Sequence, residues 1–480
     1  MKTYPLLVFL AVTLLLLGCI AGGQLEENET AKTKHSKPNE TLQNQTVTNT
    51  TQPQVILDSP DVVTVVNSTA KKQKMLGFGT TIQKWNDDEL VQLPSGARAT
   101  VPEAIRQEIL DKLYLELKLN RARYGTAKEQ QYIVAAQNRG VTDWSYMGFV
   151  PTAAAGGKRS PGEGPDLAEG KEEVYIETAI GIMLDREKNG ISVPYWDIVN
   201  EPSNPQNEPK RITVSQMVYI IKELGKRIEE NNLSTKMIFP DDVTTGAAIP
   251  YIEAILSDSE ARKYVGAIAF HEYGSQLEEE FSNEAITNRA IIKNLSLKYN
   301  VPIWMTETMY RTSSPLFMAN KIFDELEYGG VSAYDYMLGY QREGVGLPRI
   351  SSLIIVSFSP EGEFQNYSFH PFYYVMGQFS RFIGNGWDFI QSTSSDSRVR
   401  SAAFSESNSD GFTVVLVNNG DIEKTVRIDL DKPVSEISII RTTESGEQWN
   451  VLGRFIVNGT AIYGTLPGES ITTFTTVAAQ

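Results

Sequence analysis

Two glutamates carry the chemistry for which this sequence can be read. Glu201 closes the run VPYWDIVNEP, and Glu307 stands at the end of VPIWMTET. Each run is short, apolar and rich in β-branched and aromatic residues, and each turns polar at its carboxylate. Buried parallel strands read this way where they deliver side chains into a loop. After Glu201 the break is enforced, because Pro202 cannot continue a strand ladder. Two carboxyl groups facing one another are what glycosidic bond cleavage needs, one to protonate the departing oxygen and one to act at the anomeric carbon. Taken singly, each glutamate reads more simply as a solvated or ion-paired strand end. The signal lies in the pair.

The elements that would position this pair can be counted along the chain. KMLGFGTTI, NRARYG, DWSYMGFVP, VPYWDIVNEP, KMIFPDD, VGAIAFHEYG, VPIWMTET and VSAYDYML read as eight strands separated by helical patterns. Thr100-Val101-Pro102-Glu103 predicts a capping box ahead of Ile105, Ile109 and Leu113. A helix is expected over 172 to 188, and another carries Met217, Ile220, Ile221, Leu224 and Ile228. Eight strand–helix units spread over about 260 residues match one (β/α)8 TIM barrel, an α/β fold, here expected over 75–360. In such a barrel the fourth and seventh strands lie across the mouth from each other. Glu201 and Glu307 then face a common point.

The flanks read differently. Beyond residue 360, RVRSAAFS, GFTVVLVNN, KTVRIDL, ISIIRTT and SITTFTTV are short alternating strands, which predicts a β-sandwich side domain over 361–480. VILDSPDVVTVV, within 53–74, reads as an edge strand of something assembled later in the chain. Residues 19–52 are polar and Thr/Asn-rich and predict a disordered stalk; Asn28, Asn39, Asn44 and Asn49 open glycosylation sequons. Lys2 followed by the apolar run Leu6 to Leu17 reads as a signal peptide, 1–18. Its Leu16-Leu17-Gly18-Cys19 ending resembles a lipobox, so Cys19 is expected to be lipidated. The protein would then be extracellular, anchored to the outer face of the cell membrane. The alternative is an uncleaved anchor helix.

Composition narrows the ligands. With 44 Lys and Arg against 59 Asp and Glu, the net charge is -15, which argues against nucleic acid or an anionic membrane surface and suits a neutral polyol. Three histidines and one cysteine among 480 residues suggest no metal, no cofactor and no internal disulfide. A monomer is expected.

At this point a resemblance enters. WDIVNEP and IWMTET resemble the acid/base and nucleophile motifs of clan A glycoside hydrolases. GFGTTI, HPFYYVMGQFSRFIGNG (370 to 386), SAAF, VVLVNN and LPGESITTF are similar to family 30 in particular, across residues 55 to 478. The resemblance implies a retaining hydrolase that cleaves β-linked glycans of xylan or β-glucan type. It also implies that the strand around 55 to 66 completes the C-terminal sandwich. It makes Glu201 the general acid/base and Glu307 the nucleophile, with Asn200 bonding the sugar 2-hydroxyl. Arg121 would sit beside the nucleophile, and His271 and Tyr273 would line the site with the tyrosine hydroxyl near Glu307.

The residues themselves leave alternatives open. Arg121 and Arg123 also read as barrel-end ion pairs, the preferred reading for Arg123. His271 reads equally well as a core histidine. Asp241 and Asp242 suit a helix N-cap better than a sugar contact, and His370 is expected to pack the two domains together. Family 30 usually ends its eighth strand with a flat aromatic platform, where this chain has Met337. Tyr336, Trp85 and Trp144 are the candidates to replace it, against the plainer reading that all three are core. Met337 and the stalk favour the rival reading, a surface lipoprotein that binds glycan without cleaving it.

Overall fold

The computed structural model describes residues 52–125, 127–156, 166–203, 211–273, 281–344, 352–407 and 409–478. The predicted signal, stalk and Cys19 lie outside them. Eight parallel strands close into a barrel: β1 (Gly77–Ile82), β2 (Arg121–Tyr124), β3 (Asp143–Met147), β4 (Tyr195–Asp197), β5 (Lys236–Asp242), β6 (Val265–His271), β7 (Ile303–Glu307) and β8 (Val331–Tyr336). Each pairs with its neighbours in chain order, and β8 returns to β1 with Asp335 opposite Gly79. Strand side chains alternate between barrel interior and helix layer. Ile238, Ala267, Ala269, Trp304 and Ala333 form the inner cluster, separate from the larger core outside.

The helices follow from their sequence periods. In Val214–Glu230 the buried residues are Met217, Ile220, Ile221, Leu224, Gly225 and Ile228, and Thr213 with Gln216 completes a capping box. The box expected at Thr100–Glu103 does not form. Pro102 is the N-cap with an extended ψ of 144° and no side-chain cap bond. Glu103 reaches down its own helix instead, to Arg106 at 3.4 Å and Gln107 at 2.6 Å.

The barrel runs past the expected boundary at 360. After β8 the chain makes a small sheet of Tyr340–Arg342, Ile354–Phe358 and Phe364–Phe369, then the helix Pro371–Ser380. Phe372, Val375, Met376 and Phe379 of this helix are buried, with the Phe379 ring 5.9 Å from Phe78 of β1. It is therefore the eighth barrel helix. His370 caps it rather than joining the domains: Nδ1 accepts the Phe372 N–H at 3.3 Å, and burial pushes the ring down to about 4. The other face of the helix meets the side domain through Gln378, which donates to Thr442 at 2.8 Å and accepts from Thr473 at 2.5 Å.

The side domain is a ten-stranded sheet that curls on itself to make a sandwich. Val62–Lys74 is an inner strand, not an edge: it pairs antiparallel with Asp388–Ser394 and parallel with Lys424–Leu430. Val62, Thr64 and Val66 point into the sandwich core beside Ile390, Leu416, Ile428 and Phe474. Among the described residues no helix is long and apolar enough to cross a membrane.

Candidate active site

Three strand ends deliver the central group. Glu307 and His271 are the last residues of β7 and β6, while Glu201 lies four residues beyond β4. Glu201 takes a left-handed φ of 51°, and its N–H donates to the carbonyl of Asp241 at 3.0 Å, so β5 fixes its turn. One oxygen of Glu201, one of Glu307 and a ring nitrogen of His271 all lie within 4.8 Å of one another. His271 Nδ1 stands 3.1 Å from Glu201 Oε1 and 3.8 Å from Glu307 Oε1. The imidazole thus sits between the carboxylates, fully buried.

Arg123, not Arg121, accompanies Glu307. Its Nη1 donates to Glu307 Oε2 at 2.5 Å, and Nη2 donates to Asp241 Oδ2 and Asn200 Oδ1, both at 2.6 Å. Arg121 is spent one layer lower, where Nε and Nη2 each bond Asp335 at 3.2 Å and the guanidinium lies 4.2 Å from the Trp304 ring centre. The two arginines share a face of β2 because they are two residues apart. The register separates their depths: Arg121 is level with Gly79 and Arg123 with Thr81, nearer the mouth.

The charges set the protonation states. Burial alone would raise the Glu307 carboxyl, but the charges of His271 and Arg123 and the Tyr273 hydrogen bond outweigh it and hold Glu307 below its ordinary range. Burial would likewise strip the His271 proton, but Glu307 and Asp241 raise it well above the usual value, leaving an imidazolium. Asp241 stays ionised against its burial because Arg123 and His271 face it. Asp197, buried beside Asp241, is driven up by burial first and that neighbouring charge second, so it keeps its proton.

The other predicted residues sort clearly. The Tyr273 hydroxyl donates to Glu307 Oε1 at 2.5 Å and lies 3.7 Å from Met337 Sδ, so Met337 belongs to the site wall. Asn200 is at the site, bonded to Arg123. Tyr336, Trp85 and Trp144 are core. The Tyr336 ring packs between Tyr310 and Phe372, Trp85 stacks on Tyr340 at 3.9 Å, and Trp144 meets Tyr124 edge-on. Alternation could have shown this for two of them: Asp143 is level with inward Arg121, and Asp335 faces inward, so Trp144 and Tyr336 point out. Asp241 and Asp242 do not cap the helix Thr245–Ser257, which Thr244 caps through the Ala247 N–H. Arg123, Asp241 and Asp242 are the residues that motif reading missed, although all three lie on barrel strands and the two aspartates end β5.

Glu201, His271 and Glu307 also bring together three atoms of the kind that ligate a cation. The neighbouring Arg123 guanidinium and the protonated imidazole both oppose that use.

No protein-family model and no curated protein matches the sequence. Solved structures do match. A family 30 endoxylanase from Clostridium papyrosolvens C71 superposes at a TM-score of 0.65 with 18% identity, covering 86% of this chain and 99% of that one. A family 30 subfamily 8 xylanase from Clostridium acetobutylicum gives 0.64 and 21%, covering 86% and 98%. An endo-β-1,6-glucanase gives 0.60 and 15%, covering 87% and 94%. The chain has the fold of family 30 glycoside hydrolases, barrel and side domain together.

Proposed function

We propose that this chain is a retaining β-glycoside hydrolase acting on a β-linked glycan of xylan or β-glucan type. One observation carries the reading: two glutamates from opposite strands have carboxylate oxygens within 4.8 Å of one another. Retaining enzymes hold their carboxyls about 5 to 5.5 Å apart, against roughly 6.5 to 9.5 Å where a water must fit between. Glu307, held ionised, attacks the anomeric carbon. As the glycosidic C–O bond breaks, Glu201 passes its proton to the departing oxygen. Glu201, now a carboxylate, takes a proton from water, whose oxygen attacks the same carbon and releases Glu307. Two inversions leave the β configuration unchanged. Arg123 and Tyr273 keep Glu307 ionised and aimed, and Asn200, bonded to Arg123 beside them, would bond the sugar 2-hydroxyl. The reaction needs no cofactor.

Reducing-end release across xylan, mixed β-glucans and aryl β-glycosides tests the class. Glu307→Ala should abolish turnover. Glu201→Ala should lose far more on poor leaving groups than on aryl glycosides, which depart with little protonation. An α anomer as the first product of the wild type would overturn the retaining assignment. A glycan-binding protein without turnover is the second reading, favoured by Met337 standing at the mouth while Tyr336, Trp85 and Trp144 are packed in the core. Binding without release on the whole panel would establish it.

Lys2, the Leu6 to Leu17 run and Cys19 support export and a lipid anchor, with the protein on the outer face of the membrane. Cys19→Ser should release the protein or leave it unprocessed; unchanged retention would favour an uncleaved helix.

A further inference from the structure

We propose that Asp242 and Ser203 form a clamp that positions Glu201 for proton transfer, making both of them positioning residues of the reaction. The inference rests on Glu201 being the acid/base. The turn that carries Glu201 runs from Asn200 to Ser203, and it is held on two sides. On one side the Arg211 N–H donates to the Pro202 carbonyl at 3.0 Å, and Arg211 Nη1 to the Asn200 carbonyl at 3.1 Å. On the other side stands the end of β5. The Asp241 carbonyl takes the Glu201 N–H, and the Asp242 carboxylate takes Ser203 twice, from Oγ at 2.5 Å and from N–H at 3.4 Å.

Two features mark this contact as more than packing. Glu201 and Asp241 both adopt left-handed backbone, with φ of 51° and 59°. Residues with a Cβ seldom hold that conformation unless the surroundings impose it. Asp242 is fully buried, and among the described residues no cation pairs with it. Its other bond is from the N–H of Val243, the next residue in the chain, at 2.9 Å. A buried carboxylate without a counter-charge is a poor device for stability. It is a good one for locking a turn, because it accepts from the backbone and the side chain of one residue at once. Release of Ser203 lets the turn relax at Glu201. That shifts the acid/base oxygens while Glu307, on β7 and held by Arg123 and Tyr273, stays in place. The acid-dependent step then suffers and nucleophilic attack does not.

The test uses the full chain and two substrates of the sugar that it cleaves, an unsubstituted oligosaccharide and its nitrophenyl β-glycoside. Asp242→Asn and Ser203→Ala should each lose about tenfold or more in kcat/KM on the oligosaccharide and stay within about twofold on the nitrophenyl glycoside. Ser203→Thr, which keeps the hydroxyl, should recover most of the loss. In a Glu201→Ala background, Asp242→Asn should add nothing. Equal losses on both substrates, or a further loss in that background, would overturn the clamp while the acid/base assignment stands. If Glu201→Ala shows no dependence on leaving group, the assignment falls and the clamp falls with it.

Discussion

Arg123 bonds three partners from three strand ends, Glu307, Asp241 and Asn200, at 1% exposure. A lysine presents a single compact ammonium and cannot reproduce that fork. The wild-type acidic limb of kcat/KM is expected below the ordinary glutamate value of about 4.3, because the depressed Glu307 carboxyl stays ionised as pH falls. Arg123→Lys should move that limb upward. Arg121→Lys should leave it where it is, since Arg121 meets Asp335 and not Glu307. A pH profile on an activated aryl glycoside checks both, and an unmoved limb in Arg123→Lys would remove the arginine from the account. Arg123→Gln leaves buried carboxylates uncompensated and should cost roughly 3 to 5 kcal/mol of stability, read by denaturant unfolding.

At the scale of elements, the end of β5 trades stability for geometry. Burial raises the Asp242 carboxyl to about 6, against hydrogen bonds from Ser203 and Val243 that lower it and a Glu201 charge that adds to the rise. The folded chain therefore binds a proton that the unfolded chain releases between pH about 4 and 6. Stability from this group is greatest below that window and falls as pH rises through it. Above pH 6 the buried charge costs on the order of 2 to 3 kcal/mol. Asp242→Asn removes the titration. Relative to wild type it should gain unfolding midpoint at pH 7.5 and lose that advantage at pH 4.5. A gain independent of pH would show that Asp242 is uncharged throughout.

Across the whole molecule, barrel and side domain share material in both directions. The N-terminal strand Val62–Lys74 precedes the barrel yet lies inside the C-terminal sheet, where Lys71 and Lys74 both reach Asp388, at 2.7 and 2.8 Å. The eighth helix, Pro371–Ser380, follows the expected boundary yet closes the barrel. A chain of 75–360 lacks both and should be insoluble. Burying Phe372, Val375, Met376 and Phe379 contributes about 2 kcal/mol each, and the truncated barrel would leave their contact surface bare. A chain of 53–480 should be soluble and as active as the full protein. Solubility and activity of the two chains decide the matter, and a folded, active 75–360 would make the side domain dispensable.

The sequence by itself determined the periodic and terminal features. Apolar runs that break at Glu201 and Glu307 announce strand ends, and eight such runs alternating with helical patterns announce the barrel, because burial against helices demands that pattern wherever the strands end up. The alternation of KTVRIDL and its neighbours likewise announced a second, sandwiched sheet. Depth within the barrel had no such signature. Arg121 and Arg123 are the same residue type on the same face of one strand, and the shear between strands decides which one meets Glu307. Trp85 reads as a mouth aromatic until Tyr340, far along the chain, is seen stacked on it. The grip of Asp242 on Ser203 joins positions 39 residues apart. Local pattern carries secondary structure and facing, whereas register and long-range contact exist only once the barrel has closed. For that reason the facing pair Glu201 and Glu307 was readable in the chain, and the groups that charge it and aim it were decided by the tertiary structure.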